Sequence, residues 1–403
     1  MGAGRLWRGD GADVAQRAQR RASAGQRRIA AVREAMAADG LDLLVVLGSG
    51  RHSFIAANLC WWLSGLRQLG RDAAVLLPLD GEPRLIVTPS WDDLRARELA
   101  WIDDVTAVDD LPRELAGLLA GRFARAGAVG VAGAADASAS VAAMLDAQLG
   151  ERRRDGTAAI SACARRHDEW ALGLIAQAVQ IAEAGFSHLC ETARPGMREF
   201  ELAALVDAHM RALGADDNFL LISASQHNRA VHAPTDRELW PGDVILAEIS
   251  PAVEGQFAQI CRTAVLGDAT PALREGYALL AEAFAAGLRA AGPGVPVREV
   301  AGEVNRLVSE RGYGRFTRPP YMRSRGHAMG LGAMVPADVS DSSDVVLEPG
   351  MSFVLHPNQY LPGPGYLLCG DQIEIADDGA RALSGGALAG LAEIPVDPAR
   401  GAT

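Results

Sequence analysis

Five mostly apolar, strand-like segments in the second half of the chain each carry a polar interruption: Glu248 within 244–249, Gln259 within 257–263, His327 within 326–331, His356 closing 351–356, and the Gly370-Asp371 pair opening 371–375. A polar side chain on a buried strand is costly unless it is paired. The ladder therefore predicts one shared cavity lined from several strands. Earlier in the chain the pattern alternates between helix and strand. A helical period covers 12–38, a buried strand 41–47, helix-like sequence runs through Trp62, and 73–79 with 83–88 reads as a hairpin about Asp80-Gly81-Glu82. A strand at 104–108, a helix at 113–123, a strand at 128–132 and a helix at 138–149 complete a first α/β domain over residues 1–155.

Residues 151–168, with charge runs at Arg152-Arg153-Arg154 and Arg165-Arg166, read as a connector, and 156–403 as the second domain. That domain contains a weak internal repeat. A helix, a Pro-Gly break at Arg194-Pro195-Gly196 and a second helix are echoed by a helix, Gly292-Pro293-Gly294 and a further helix. Two α-α-β-β halves packing about one antiparallel sheet follow, with helices on one face and the other face free for a ligand.

Composition narrows the function. A chain of 403 residues suits two domains, and a net charge of −11 leaves no basic footprint for nucleic acid or an anionic membrane. No apolar run approaches the roughly 20 residues needed to span a bilayer. All 39 basic residues are Arg, and without lysine there is no Schiff-base chemistry, no covalent pyridoxal phosphate and no Walker-type loop. The five cysteines, Cys60, Cys163, Cys190, Cys261 and Cys369, are odd in number and lack paired metal spacing. With a polar, Arg-rich start, they point to a reduced, cytoplasmic setting.

Four motifs occur in order: Pro241-Gly242-Asp243, Cys261-Arg262-Thr263, Gly326-His327-Ala328-Met329-Gly330-Leu331 and Leu347-Glu348-Pro349-Gly350-Met351. Together they resemble the pita-bread family of creatinase, prolidase, aminopeptidase P and methionine aminopeptidase, over residues 170–385. The resemblance implies a small creatinase-like α/β domain, then a pita-bread domain with a curved antiparallel sheet and two helix-pair repeats, and a homodimer. It also implies a ligand set. The family's peptidases hold two divalent ions with Asp, Asp, His, Glu and Glu, and those slots resemble Glu248, Gln259, His327, His356 and Gly370 here. The two bridging slots thus become an amide and a missing side chain, which offer no charge to offset two adjacent dications. Two readings stay open. One has no cofactor, with His232, His327, His356 and Glu248 as an acid/base pocket, as in creatinase. The other has a single divalent transition metal on Glu248, His327 and His356.

His232, within residues 228–237, resembles the family histidine that contacts substrate and shuttles protons, and an imidazole exchanges a proton near neutral pH. Gln259, Cys261, Arg325 and Asp371 are expected to contact the substrate. Cys261 is also weighed as a thiolate nucleophile against a packing role. Cys261 and His356 stand where creatinase grips its substrate with glutamates. A guanidinium is therefore poorly matched, and a carboxylate-bearing molecule suits the histidines with Arg323 and Arg325 nearby. Met334 replaces the peptidases' second histidine, which weakens peptide hydrolysis. Trp61, Trp62, Arg67 and Arg71 read as core aromatics and surface charge, and the resemblance to creatinase-like dimers implies as an alternative that an Arg here contacts a carboxylate in the partner's site. The expected function is a creatinase-like hydrolase cleaving a C–N bond of a small polar, carboxylate-bearing molecule without paired ions. A lyase comes second, and a non-catalytic binding module third.

Overall fold

The apolar run near residue 41 forms β1 (Leu43–Gly48), buried along its whole length. A strand covered on both faces reads as an uninterrupted hydrophobic stretch, and β1 lies at the centre of a six-stranded sheet. The computed structural model describes residues 11–50, 54–55, 57–332 and 338–396, in two units joined between Trp170 and Ala171. The first unit runs α1 (Gly11–Ala38), β1, α2 (Leu59–Ser64), β2 (Ala73–Pro78), β3 (Arg84–Val87), α3 (Asp93–Leu99), β4 (Asp104–Ala107), α4 (Leu111–Ala120), β5 (Val129–Ala132), α5 (Ala139–Leu149), β6 (Arg153–Asp155) and α6 (Thr157–Ala164). The strand order is β4-β3-β2-β1-β5-β6, with β2 and β3 forming the expected antiparallel hairpin. Leu43, Val45, Leu76, Leu115, Val131 and Leu145 belong to its core.

The segment read as a connector is part of this unit. β6 pairs in parallel with β5, and α6 packs on α1. Arg28 of α1 explains why the unit extends so far: it is buried, its Nε donates to Asp168 at 2.7 Å and its Nη1 to the Trp62 carbonyl at 2.9 Å, and it lies over the rings of Trp62 and Trp101. Trp61 and Trp62 are buried, and Arg67 lies over the Trp61 ring.

The second unit follows α7 (Glu169–Thr192), which spans the junction. It contains α8 (Glu199–Ala212), β7 (Asp217–Ser225), β8 (Val244–Val253), β9 (Gln256–Phe257), β10 (Ile260–Leu266), α9 (Pro271–Ala290) and α10 (Val297–Val308). Then come β11 (Gly326–Ala328), β12 (Ser352–Leu355), β13 (Gln359–Leu361), β14 (Gly365–Leu367), β15 (Asp371–Ala376), β16 (Gly379–Ala382) and β17 (Ala392–Ile394). The repeat is visible in the backbone. Gly196 and Gly294 take φ of +84° and +82° at the two helix breaks, and Gly242 and Gly350 take +86° and +85° at the two turns entering β8 and β12. Only glycine adopts such values without strain. After each break the chain makes one antiparallel bridge to the segment before the matching strand, Arg198 to Glu238 in one half and Pro296 to Val346 in the other.

One continuous sheet was expected, and the strands instead form two larger sheets. One has the order β17-β10-β8-β7 with β9 beside β8, the other β11-β12-β15-β16, and β13 and β14 form a separate ribbon. Cys261 and Gly370 join the two sheets, each donating its N–H to the other's carbonyl at 3.0 Å. Phe257 N–H also reaches the Gly330 carbonyl at 2.7 Å. Among the described residues no helix is long and apolar enough to cross a membrane.

Candidate functional site

Directly opposed residues of antiparallel strands share a face. Leu221, Glu248 and Cys261 form one row across β7, β8 and β10, and His327, Val354 and Gln372 form another across β11, β12 and β15. The Gln259 N–H donates to Gln372 Oε1 at 3.2 Å and ties the two rows together.

Burial raises the Glu248 carboxyl to about 7. Asn358 Nδ2 is 3.5 Å from Glu248 Oε1 and 3.8 Å from Cys261 Sγ, and its orientation is fixed because Asn358 Oδ1 accepts the Cys369 N–H at 2.9 Å. Gln259 Nε2 reaches Cys261 Sγ at 3.4 Å, while Gln259 Oε1 is buried without a partner. Burial first, then the nearby Glu248 carboxylate, raises the Cys261 thiol well above its ordinary range. Cys261 is therefore a neutral, fully buried thiol between two amides, which supports the packing role over the nucleophile.

The rings of His327 and His356 meet edge to face with centroids 5.5 Å apart. His327 Nδ1 lies 3.1 Å from the Ala328 carbonyl, and burial lowers its pKa. Burial, reinforced by His327, lowers His356 to about 3, and its Nδ1 is enclosed with no hydrogen-bond partner. Both imidazoles are neutral near pH 7.

Three expected site residues are engaged by other partners. His232 is exposed in the segment between β7 and β8, with Nδ1 2.8 Å from the carbonyl of its own neighbour Ala233. Arg325 is 1% exposed and committed to the protein, with Nε to Asn305 Oδ1 at 2.8 Å, Nη1 to the Asn358 carbonyl at 3.0 Å and Nη2 to Gln359 Oε1 at 2.9 Å. It clamps the chain after His356, with all three guanidinium nitrogens engaged by protein oxygens. Asp371 points to the opposite side of β15, where it pairs with Arg262 and accepts from Ser384 Oγ at 2.6 Å and the Ala387 N–H at 3.0 Å. Alternation then places the next residue, Gln372, on the site face. Asn358, Gln372 and Ser250 were missed. Ser250 follows Glu248 by one strand period, and its Oγ is buried without a partner. Met334 lies outside the described residues.

Two sheet systems flanked by paired helices, with a polar row across their seam, define a pita-bread protein carrying a creatinase-type first domain. Residues 173–380 match Metallopeptidase family M24, and residues 28–163 match the Creatinase/Prolidase N-terminal domain. The chain belongs to metallopeptidase family M24. It is 29% identical over 214 residues to the Xaa-Pro dipeptidase of Pyrococcus furiosus and 26% identical over 214 residues to the uncharacterized peptidase YqhT of Bacillus subtilis. Each match covers 52% of this chain and 60% of the relative, so the chain spans about 60% of the length of these curated relatives. The prolidase of Pyrococcus horikoshii OT3 superposes with a TM-score of 0.76 at 21% identity, covering 89% of this chain and 97% of that one. A zinc-substituted Escherichia coli aminopeptidase P in complex with product gives 0.72 at 19%, covering 94% and 96%. These likenesses show the fold.

Membership corrects the expectation of a site with no cofactor: the family is one of metallopeptidases, and a zinc-bearing aminopeptidase P shares the fold. The residues present do not fit the carboxylate-bridged pair of ions, however. A Cβ at position 370 would lie 2.5 Å from His356 Cβ and 2.6 Å from the Leu355 carbonyl oxygen, so no bridging side chain fits there, and the other bridging slot holds the amide of Gln259. Among the described residues no three His, Cys, Asp or Glu side chains converge to hold an ion, and this includes Glu248, His327 and His356.

Proposed function

We propose that this chain is a hydrolase that cleaves a C–N bond in a small, polar, carboxylate-bearing molecule, with Glu248 as its proton carrier. The observation that carries the reading is the Glu248 carboxyl, raised to about 7 inside the polar row. A group that titrates near the working pH is half ionised and can both accept and return a proton. In this mechanism Glu248 takes a proton from water as the water oxygen adds to the substrate carbonyl carbon. It then delivers that proton to the nitrogen as the C–N bond breaks, and the carboxylate is restored. Asn358 holds the carboxyl in place, and the neutral His356 offers an N–H to the carbonyl oxygen as it gains charge.

Family membership and the Xaa-Pro dipeptidase relative support C–N hydrolysis and make a small peptide-like substrate suitable. Assay of a dipeptide and acylamino-acid panel in water enriched in oxygen-18, with and without added Zn²⁺, Mn²⁺ or Co²⁺, tests the reading. One labelled oxygen is expected in the acid product of the wild type, with turnover at least 100-fold lower in Glu248→Gln. Products without the label would overturn hydrolysis. The reading also expects a homodimer in a cytoplasmic setting, and light scattering of the purified chain checks the dimer.

A further inference from the structure

Beside the polar row lies an aromatic group that the hydrolytic chemistry does not use. The rings of Tyr321 and Tyr360 stack at 5.6 Å and 23°, Phe316 lies 4.9 Å from Tyr321 and 5.6 Å from Tyr360, and His227 meets the edge of Tyr360 at 5.8 Å. Tyr321 is 37% exposed. Tyr360 is directly opposed to Tyr366 in the β13–β14 ribbon and follows by two residues Asn358, whose Nδ2 lies 3.5 Å from Glu248 Oε1.

The charge around this stack departs from that of the whole chain. Residues 311–332 contain five Arg and no Asp or Glu, in a protein of net charge −11. Arg311 is paired with Glu282, and Arg325 is buried against neutral acceptors. Arg315, Arg318 and Arg323 are exposed and make no ion pair among the described residues, and the Arg315 guanidinium lies 5.9 Å over the Phe316 ring. Gln359 fixes the loop next to the ribbon, its Nε2 donating to the Phe316 carbonyl at 2.8 Å. An unpaired guanidinium binds a carboxylate through two parallel N–H bonds and also stacks on flat groups. Exposed rings supply apolar area to a planar ligand at little entropic cost.

We infer that Tyr321, Tyr360 and Phe316, rimmed by Arg315, Arg318 and Arg323, form a subsite for a planar, anionic group, so that the substrate is an acylated amino acid with a flat acyl or side-chain group and a free carboxylate. Calling this ligand a substrate rests on the hydrolase reading; the binding itself does not.

Titration calorimetry of the whole chain with N-benzoylglycine and with its uncharged amide, N-benzoylglycinamide, is the test. The acid is expected to bind at least about fivefold tighter than the amide at low salt. That ratio falls towards one at high salt, where exposed charges are screened, and in the Arg318→Ala, Arg323→Ala double variant. Tyr360→Ala weakens both ligands alike. Equal affinities, no binding of either ligand, or a ratio unchanged in the arginine variant overturns the inference. Absence of oxygen-18 label with the ratio intact removes only the hydrolase reading.

Discussion

The Cα and Cβ of His356 fill the space that a side chain at position 370 needs. A Cβ built on Gly370 would stand 2.5 Å from His356 Cβ and 2.7 Å from its Cα. These are backbone and Cβ atoms that any residue but glycine at position 356 would supply, so the packing limit at position 370 does not depend on the imidazole. Gly370→Ala, the smallest possible change, is expected to destabilise by about 1–3 kcal/mol through overpacking. Gly302, within α10 and with nothing within 4 Å of its Cβ position, is the control, where Ala is expected to stabilise by about 0.5–1 kcal/mol. Urea midpoints of the two variants check this, and a neutral Gly370→Ala would show that the seam yields.

Glu248 makes stability depend on pH with a definite sign. Its carboxyl rises from 4.5 to about 7 on folding, so the folded state holds a proton that the unfolded chain has lost. The contribution is complete below pH 4.5 and disappears as pH climbs through about 7. Glu248→Gln is therefore expected to be more stable than the wild type at pH 8, by up to about 3 kcal/mol, and no more stable at pH 4.5. Chemical denaturation at both values checks the sign.

The same carboxyl predicts the activity profile. As a base, Glu248 works only when ionised, so kcat/KM is expected to climb through pH about 7 and level off above it. A profile flat between pH 5.5 and 8 would remove Glu248 from that role.

His356 acts in the opposite direction. Its pKa falls from 6.5 to about 3 on folding, so the unfolded chain takes up a proton that the folded chain refuses. Stability is lost as pH falls from 6.5 towards 3, by up to about 4 kcal/mol, and His356→Asn is expected to flatten that loss. Nitrogen-15 shifts of the imidazole that remain neutral at pH 5 are the direct check.

Asp371 is expected to matter for stability and not for ligand binding. Its replacement by Asn weakens a pair in which Arg262 is 1% exposed and Asp371 fully buried, a loss of about 3 kcal/mol. Calorimetric affinity for N-benzoylglycine is expected to stay unchanged. A loss of affinity without a loss of stability would return Asp371 to the site.

The sequence made the polar ladder legible because a two-residue period exposes any polar residue that breaks an apolar strand. Glu248, Gln259, His327 and His356 were found in this way. The pattern does not say to which side the break points. Asp371 and Arg325 look like cavity residues until their partners are known, and Arg262, the partner of Asp371, lies 109 positions away in the chain, while Asn305, a partner of Arg325, lies 20 away. His232 sits in a segment without periodicity, so only the resemblance placed it in the site. Asn358 follows a proline after β12, where strand alternation no longer applies. The expectation of no cofactor went wrong by weighing ligand slots one at a time, against a family whose membership rests on half the chain.

The Cys261–Gly370 joint consists of backbone alone, two N–H to carbonyl contacts of 3.0 Å. The two banks of the seam are therefore held partly by atoms common to every amino acid, beside the side-chain contacts of Gln372 with Gln259 and of Arg262 with Asp371. Donors on either bank can be exchanged while the gap between the banks keeps its span, which allows one scaffold to be refitted for different chemistries without being rebuilt.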